Sequence, residues 1–245
     1  MLSPTDLFSA MTPTHETKNH ILIVRHPTDS DKDLEKTLFV ERTERHVVEG
    51  ARKKVVEAGI SLQYRVLNED LYSSGEFGAN YCAYSNSIQL TSSERGSAFL
   101  VLDPSELRGR RIGTYLMNQI VTWAKNWPDA DIRTIRLLPH QADENNKVRR
   151  NNFYENFGIQ FSYESLNNES GFSKEIKSKD LKKNESWKEN IEELSVYEYA
   201  EHIQKQMNHL QMENISFKNR TNDILSRLQK AENFPFIWAM SIWGL

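Results

Sequence analysis

The first clear apolar run in the chain is His-Ile-Leu-Ile-Val at residues 20–24, a β-branched stretch of the kind a buried strand shows. The residues before it, 1–19, are polar, contain two prolines and have no period, so they are expected to form a flexible N-terminal arm. Residues 31–59 are rich in charge. Their apolar markers Leu34, Leu38, Val47, Val48 and Val55 suggest helix, with Gly50 dividing two helices and Gly59 closing the second. Short strand-like segments then follow at 61–67, 78–84, 88–91 and 97–102. Turn-rich stretches separate them, as in an antiparallel meander.

After Asp103-Pro104 the period changes. Ile112, Leu116, Ile120 and Trp123 recur at helical spacing, widened by Met117, Val121 and Ala124, and Trp127-Pro128 ends the helix. A strand is expected at 132–138, a second helix at 145–157 with Gly158 just past its end, and an alternating strand at 159–163. This order predicts one mixed α/β domain over residues 20–180, with a further strand near 172–176. Residues 181–195 are polar and are expected to be a linker.

From Val196 a heptad takes over. Ile203, Leu210, Phe217 and Ile224 are seven apart, and Met207, Asn214, Thr221 and Leu228 interleave with them. Such a narrow seam, with an amide at its centre, predicts a coiled-coil helix over 196–232 and a homodimer through it. Residues 233–245 form an apolar, aromatic tail containing Pro235. It is too short to span a bilayer and is expected to dock on the domain or on a partner.

Composition narrows the classes. With 31 basic and 34 acidic residues the net charge is −3, so no global field attracts nucleic acid and no nucleic-acid partner is expected. The single cysteine, Cys82, excludes an internal disulfide framework and a cysteine-rich zinc site, and no metal is expected. Neither a signal peptide nor an apolar stretch of about 20 residues is evident, so a cytoplasmic location is expected.

The chemistry is concentrated between residues 99 and 158. Arg108-Gly109-Arg110-Arg111-Ile112-Gly113-Thr114 is a basic, glycine-containing turn that leads into a helix. The first amides of a helix lack intrahelical partners, and its dipole adds partial positive charge, so such an entrance suits a pyrophosphate. Arginine side chains there add charge for phosphate oxygens.

This stretch resembles the acetyl-CoA-binding motif of the GNAT acetyltransferase superfamily, Gln/Arg-x-x-Gly-x-Gly/Ala. Arg108 and Gly113 supply its first and last positions, and Arg111 stands where the pattern has glycine. Farther on, Arg150-Asn151-Asn152-Phe153-Tyr154-Glu155-Asn156-Phe157-Gly158-Ile159 resembles the superfamily's Phe-Tyr-x-x-x-Gly-Phe helix, with Ile159 in place of the usual Phe. The resemblance covers roughly residues 20–180. It implies a GNAT-like α/β fold, a mixed and mostly antiparallel sheet flanked by helices, to which the C-terminal long helix is added.

It also implies roles. Acetyl-CoA would be the co-substrate, its pantetheine arm paired with main chain around Val101 and Leu102. The segment Arg108, Gly109, Arg110, Arg111, Ile112, Gly113 and Thr114 would hold the pyrophosphate. Asn146 would be an amide contact to the cofactor, although the family's spacing from that Asn to the Tyr is one residue shorter. Tyr154 would protonate the departing thiolate, a task suited to a phenol that is neutral at pH 7.

The acceptor amine must lose a proton before attack, and Glu94, His140 and Glu144 lie near the strand ends expected to flank the cleft. The function implied is an N-acetyltransferase acting on an amine of a small molecule or protein. Two alternatives remain at this point: a non-catalytic module of the same fold that works through its coiled coil, and a tRNA-directed acetyltransferase, which the net charge does not favour.

Overall fold

A computed structural model describes residues 12–25, 35–50, 54–67, 74–90, 107, 109–139, 142, 146–164 and 166–233. The chain divides into two compact units, Met1–Ser195 and Val196–Leu245.

The first unit is built on a seven-stranded sheet. Its strands are β1 (Thr12–Val24), β2 (Lys36–Glu49), β3 (Lys54–Val66), β4 (Ser74–Cys82), β5 (Ser87–Leu90), β6 (Asp131–Ile132) and β10 (Ile191–Ser195), in the order β10-β1-β2-β3-β4-β5-β6. Every pairing is antiparallel except β5 with β6. Helix α1 (Ile112–Ala124) precedes β6 in the chain. A second sheet, order β7-β9-β8, holds β7 (Arg136–Leu137), β8 (Phe161–Tyr163) and β9 (Gly171–Ser173). Helix α2 (Asn146–Asn156) lies between β7 and β8 in sequence. The mixed α/β class with a mostly antiparallel sheet is therefore present.

One face of the large sheet carries the core. Along β3 the residues Val56, Ala58, Ile60, Leu62, Tyr64 and Val66 are all buried, while alternate positions are more open. Leu22, Leu38, Phe77 and Ile88 from the neighbouring strands join Ile112, Leu116, Ile120 and Val121 of α1 in one apolar cluster. Period-2 alternation on the strands meets period-3.6 on the helix, and both bury their stripe against the other.

Several sequence expectations change here. Residues 31–59 are not two helices: 36–49 and 54–66 are long paired strands. Leu38 and Val40 are buried in alternation along β2, Val47 and Val48 flank a register shift against β3, and β1 pairs with β2 along their common length. Gly50 directly follows β2 at φ 68. Gly59 lies inside β3, where a Cβ would come within 2.9 Å of the Asn80 side chain. The expected arm is strand from Thr12 onward. The expected strand 132–138 is split between β6 and β7, which belong to different sheets.

Residues 181–195 are not a bare linker. They contain a 3-10 turn, Ser186–Glu189, with Trp187 buried, and then β10, the edge strand against β1. Cys82 is half-buried at the end of β4. Among the described residues, no helix is long and apolar enough to cross a membrane.

The second unit is described over α3 (Val196–Asn233), one helix of 38 residues, none of them buried. The apolar tail beyond it lies outside the described residues.

Candidate functional site: the entrance to α1

The Arg-rich turn reaches α1 through two residues in the left-handed region, Gly109 at φ 80 and Arg111 at φ 60. For Arg111 this conformation carries a steric cost that glycine avoids. Arg111 is the N-cap of α1; its side chain makes no capping bond, and the first helical turn contains no acidic residue. The amides of Ile112, Gly113 and Thr114 belong to the set that a helix cannot satisfy for itself. The first regular helical bond runs from the Tyr115 amide to the Arg111 carbonyl, 3.0 Å.

The side chains around this entrance are committed to the fold. The Arg111 guanidinium donates to the Ser186 carbonyl and pairs with Glu189 at 2.5 Å. Arg110 is buried, and its carbonyl accepts a 2.9 Å bond from Asn190 Nδ2, which also reaches the Arg25 carbonyl at 3.0 Å. Thus 186–190, in the stretch expected to be linker, clamps the turn. No motif marks Glu189 or Asn190 for this role, since their partners lie 78 and 80 residues away.

One turn into the helix, Tyr115 is 1% exposed and stands edge-on to Trp187. Burial pushes its phenol well above the ordinary range, and the Glu193 carboxylate it bonds adds to the shift. Glu193 also lies 3.1 Å from His20 Nδ1. Below these, Asn118 accepts the Asn184 amide at 3.1 Å, a further tie between α1 and the returning chain.

Tyr154 is 6% exposed, packed edge-on against Phe153 and Phe161. It belongs to the same core cluster as Ile112 and Tyr115. Burial pushes its phenol up to about 12, partly offset by the Arg150 guanidinium. Arg150 itself donates to the Leu138 and Glu169 carbonyls at 3.0 and 2.9 Å, and burial holds it below its ordinary value. Asn151 bonds the Asn168 carbonyl at 3.1 Å. The helix ends as the sequence suggests. Gly158 at φ 85 donates to Glu155, and Ile159 donates back to Tyr154, the bond pair of a Schellman stop. Asn146 opens α2 and accepts a bond from Arg149 at 2.5 Å.

The structure therefore places Gly109, Arg110, Arg111, Ile112, Gly113 and Thr114 together, and Tyr154 in the core that α1 shares. Glu94, Val101, Leu102, Arg108, His140 and Glu144 lie outside the described residues. Among the described residues no group of His, Cys, Asp or Glu is arranged to hold a metal ion. Comparison of the chain with protein-family models, with curated proteins and with solved structures finds no match.

Proposed function

We propose that the α/β unit is an acetyl-CoA-dependent N-acetyltransferase that moves an acetyl group to an amine by direct attack in a ternary complex. The observation that carries the reading is the entrance to α1: an uncapped helix N-terminus with no acid in its first turn, reached through an Arg-rich turn with two positive-φ residues. Its fit to a pyrophosphate follows from the chain's own atoms. Amides of Ile112, Gly113 and Thr114 supply donors, and the helix dipole supplies partial positive charge. The bulk that replaces the motif glycine is drawn off by Glu189 and Ser186. When bound, acetyl-CoA supplies an acyl group activated as a thioester.

The high pKa of Tyr154 sharpens its role. A phenol near 12 is a weaker acid than an ordinary thiol near 8.5, so full proton transfer to a thiolate is uphill by about 3 to 4 units, roughly 4–5 kcal/mol. Tyr154 acts as a hydrogen-bond donor to the sulfur while negative charge develops there. A single bond to a charged group is worth about 1.5–3 kcal/mol, a factor of roughly 10 to 150 in rate.

Calorimetric titration with acetyl-CoA tests the reading. Wild type and Tyr154→Phe bind alike, while the variant loses at least about tenfold in turnover with an amine acceptor. A folded wild type that binds no acetyl-CoA overturns the enzyme reading and leaves the alternative, a non-catalytic module.

A further inference from the structure

We infer that α3 is one half of a parallel, in-register, two-stranded coiled coil with a second copy of this chain. The helix runs 38 residues, about 57 Å at 1.5 Å per residue, and buries none of them. An isolated amphipathic helix of this kind draws little stability from propensity alone; it needs its apolar face covered. That face is continuous and open: Leu210 is 62% exposed, Phe217 71% and Ile224 58%.

Both the kind of partner and its direction follow from the heptad. Spacings of three and four place Met207, Asn214, Thr221 and Leu228 at a, and Ile203, Leu210, Phe217 and Ile224 at d. Asn214 is therefore an a-position amide midway along the seam. In a parallel pair with zero offset it faces the other copy's Asn214, and the two amides hydrogen-bond each other. Antiparallel pairing sets a against d, so each Asn214 would meet an apolar side chain and lose a bond in a desolvated layer.

The flanking charges agree with the parallel register. A g residue meets the e residue five places on in the other strand, which joins Glu213 to Lys218 and Arg227 to Glu232 across the pair. The remaining g–e neighbours bring no like charges together: Tyr199 meets Gln204, Gln206 meets Gln211, and Arg220 meets Leu225, which widens the apolar seam. A foreign helix would need the same amide at the same layer and opposite charges at these positions, whereas a second copy supplies all of them. The inference does not depend on the enzyme reading.

Light scattering on the full chain at micromolar concentration should give twice 28.6 kDa. In a Cys82→Ser background, Ile203→Cys and Ile224→Cys should each oxidise to a disulfide-linked dimer, because each d residue faces itself. Leu210→Glu with Phe217→Glu should raise the dissociation constant at least 100-fold, while Ser216→Glu, at the outward c position, leaves it unchanged. A monomeric wild type, or crosslinks that form only when the Ile203→Cys and Leu228→Cys proteins are mixed, as an antiparallel pair setting d against a requires, would overturn the inference.

Discussion

Replacing Arg111 separates what its backbone does from what its side chain does. In Arg111→Ala the left-handed strain at φ 60 remains, and the bonds to the Ser186 carbonyl and Glu189 are lost. The Glu189 pair is partly exposed, with side-chain accessibilities of 30% and 69%, so it contributes at most about 1 kcal/mol. A carbonyl bond adds about 0.5–1.5 kcal/mol, so Ala should cost between about 0.5 and 2.5 kcal/mol. In Arg111→Gly the same bonds vanish, but a strain of about 1–2 kcal/mol is relieved, against about 0.5–1 kcal/mol for the added freedom of the unfolded chain. The glycine variant should therefore be the more stable of the two by about 0.5–1 kcal/mol. Urea titration followed by tryptophan fluorescence reads this as a midpoint higher by roughly 0.3–0.6 M. An alanine variant equal to or more stable than the glycine variant would refute the argument that left-handed geometry constrains this position. Acetyl-CoA titration of the pair adds a second reading, since the backbone amides proposed to hold the ligand are intact in both.

Other consequences are open to measurement. The Tyr154 phenol binds its proton more tightly folded, near 12, than at the ordinary value of 10.0. Its contribution is complete below pH 10 and falls as pH rises toward 12, by about 2–3 kcal/mol at most. Tyr154→Phe should flatten this alkaline loss in urea titrations between pH 8 and 11.5, and a loss of unchanged steepness counts against the assignment. Asn190→Ala removes both bonds that tie the Arg25 and Arg110 carbonyls, so it should cost about 2–3 kcal/mol in the same assay and weaken acetyl-CoA binding. Gly158→Ala forces a Cβ at φ 85 to within 3.3 Å of the Asp180 carbonyl, and a loss of about 1–2 kcal/mol is expected.

Much of the fold is legible where one element's pattern suffices. The stripe of Ile112, Leu116 and Ile120 predicts α1 and its buried face, and Gly158 predicts where α2 stops. The strands are less legible. Leu38, Val47 and Val55 share no single face of either a helix or a strand, and only the neighbouring strands decide between the two. The candidate site divides in the same way. Gly109 and Arg111 are visible as a turn before a helix, whereas nothing near Glu189 or Asn190 announces that they hold that turn.

Local periodicity and turn chemistry therefore determine, by themselves, two helices, a helix stop and the heptad seam of α3. They do so because the groups that settle these features lie within a few residues of one another. The tertiary structure decides the strand identity of residues 36–49 and 54–66, the recruitment of 191–195 as an edge strand and the diversion of the Arg111 side chain to Ser186 and Glu189. The last two depend on hydrogen-bond partners far away in the chain, such as His20 with Ser195 and Arg111 with Glu189, and a one-dimensional pattern carries no record of which distant segment will close the bond.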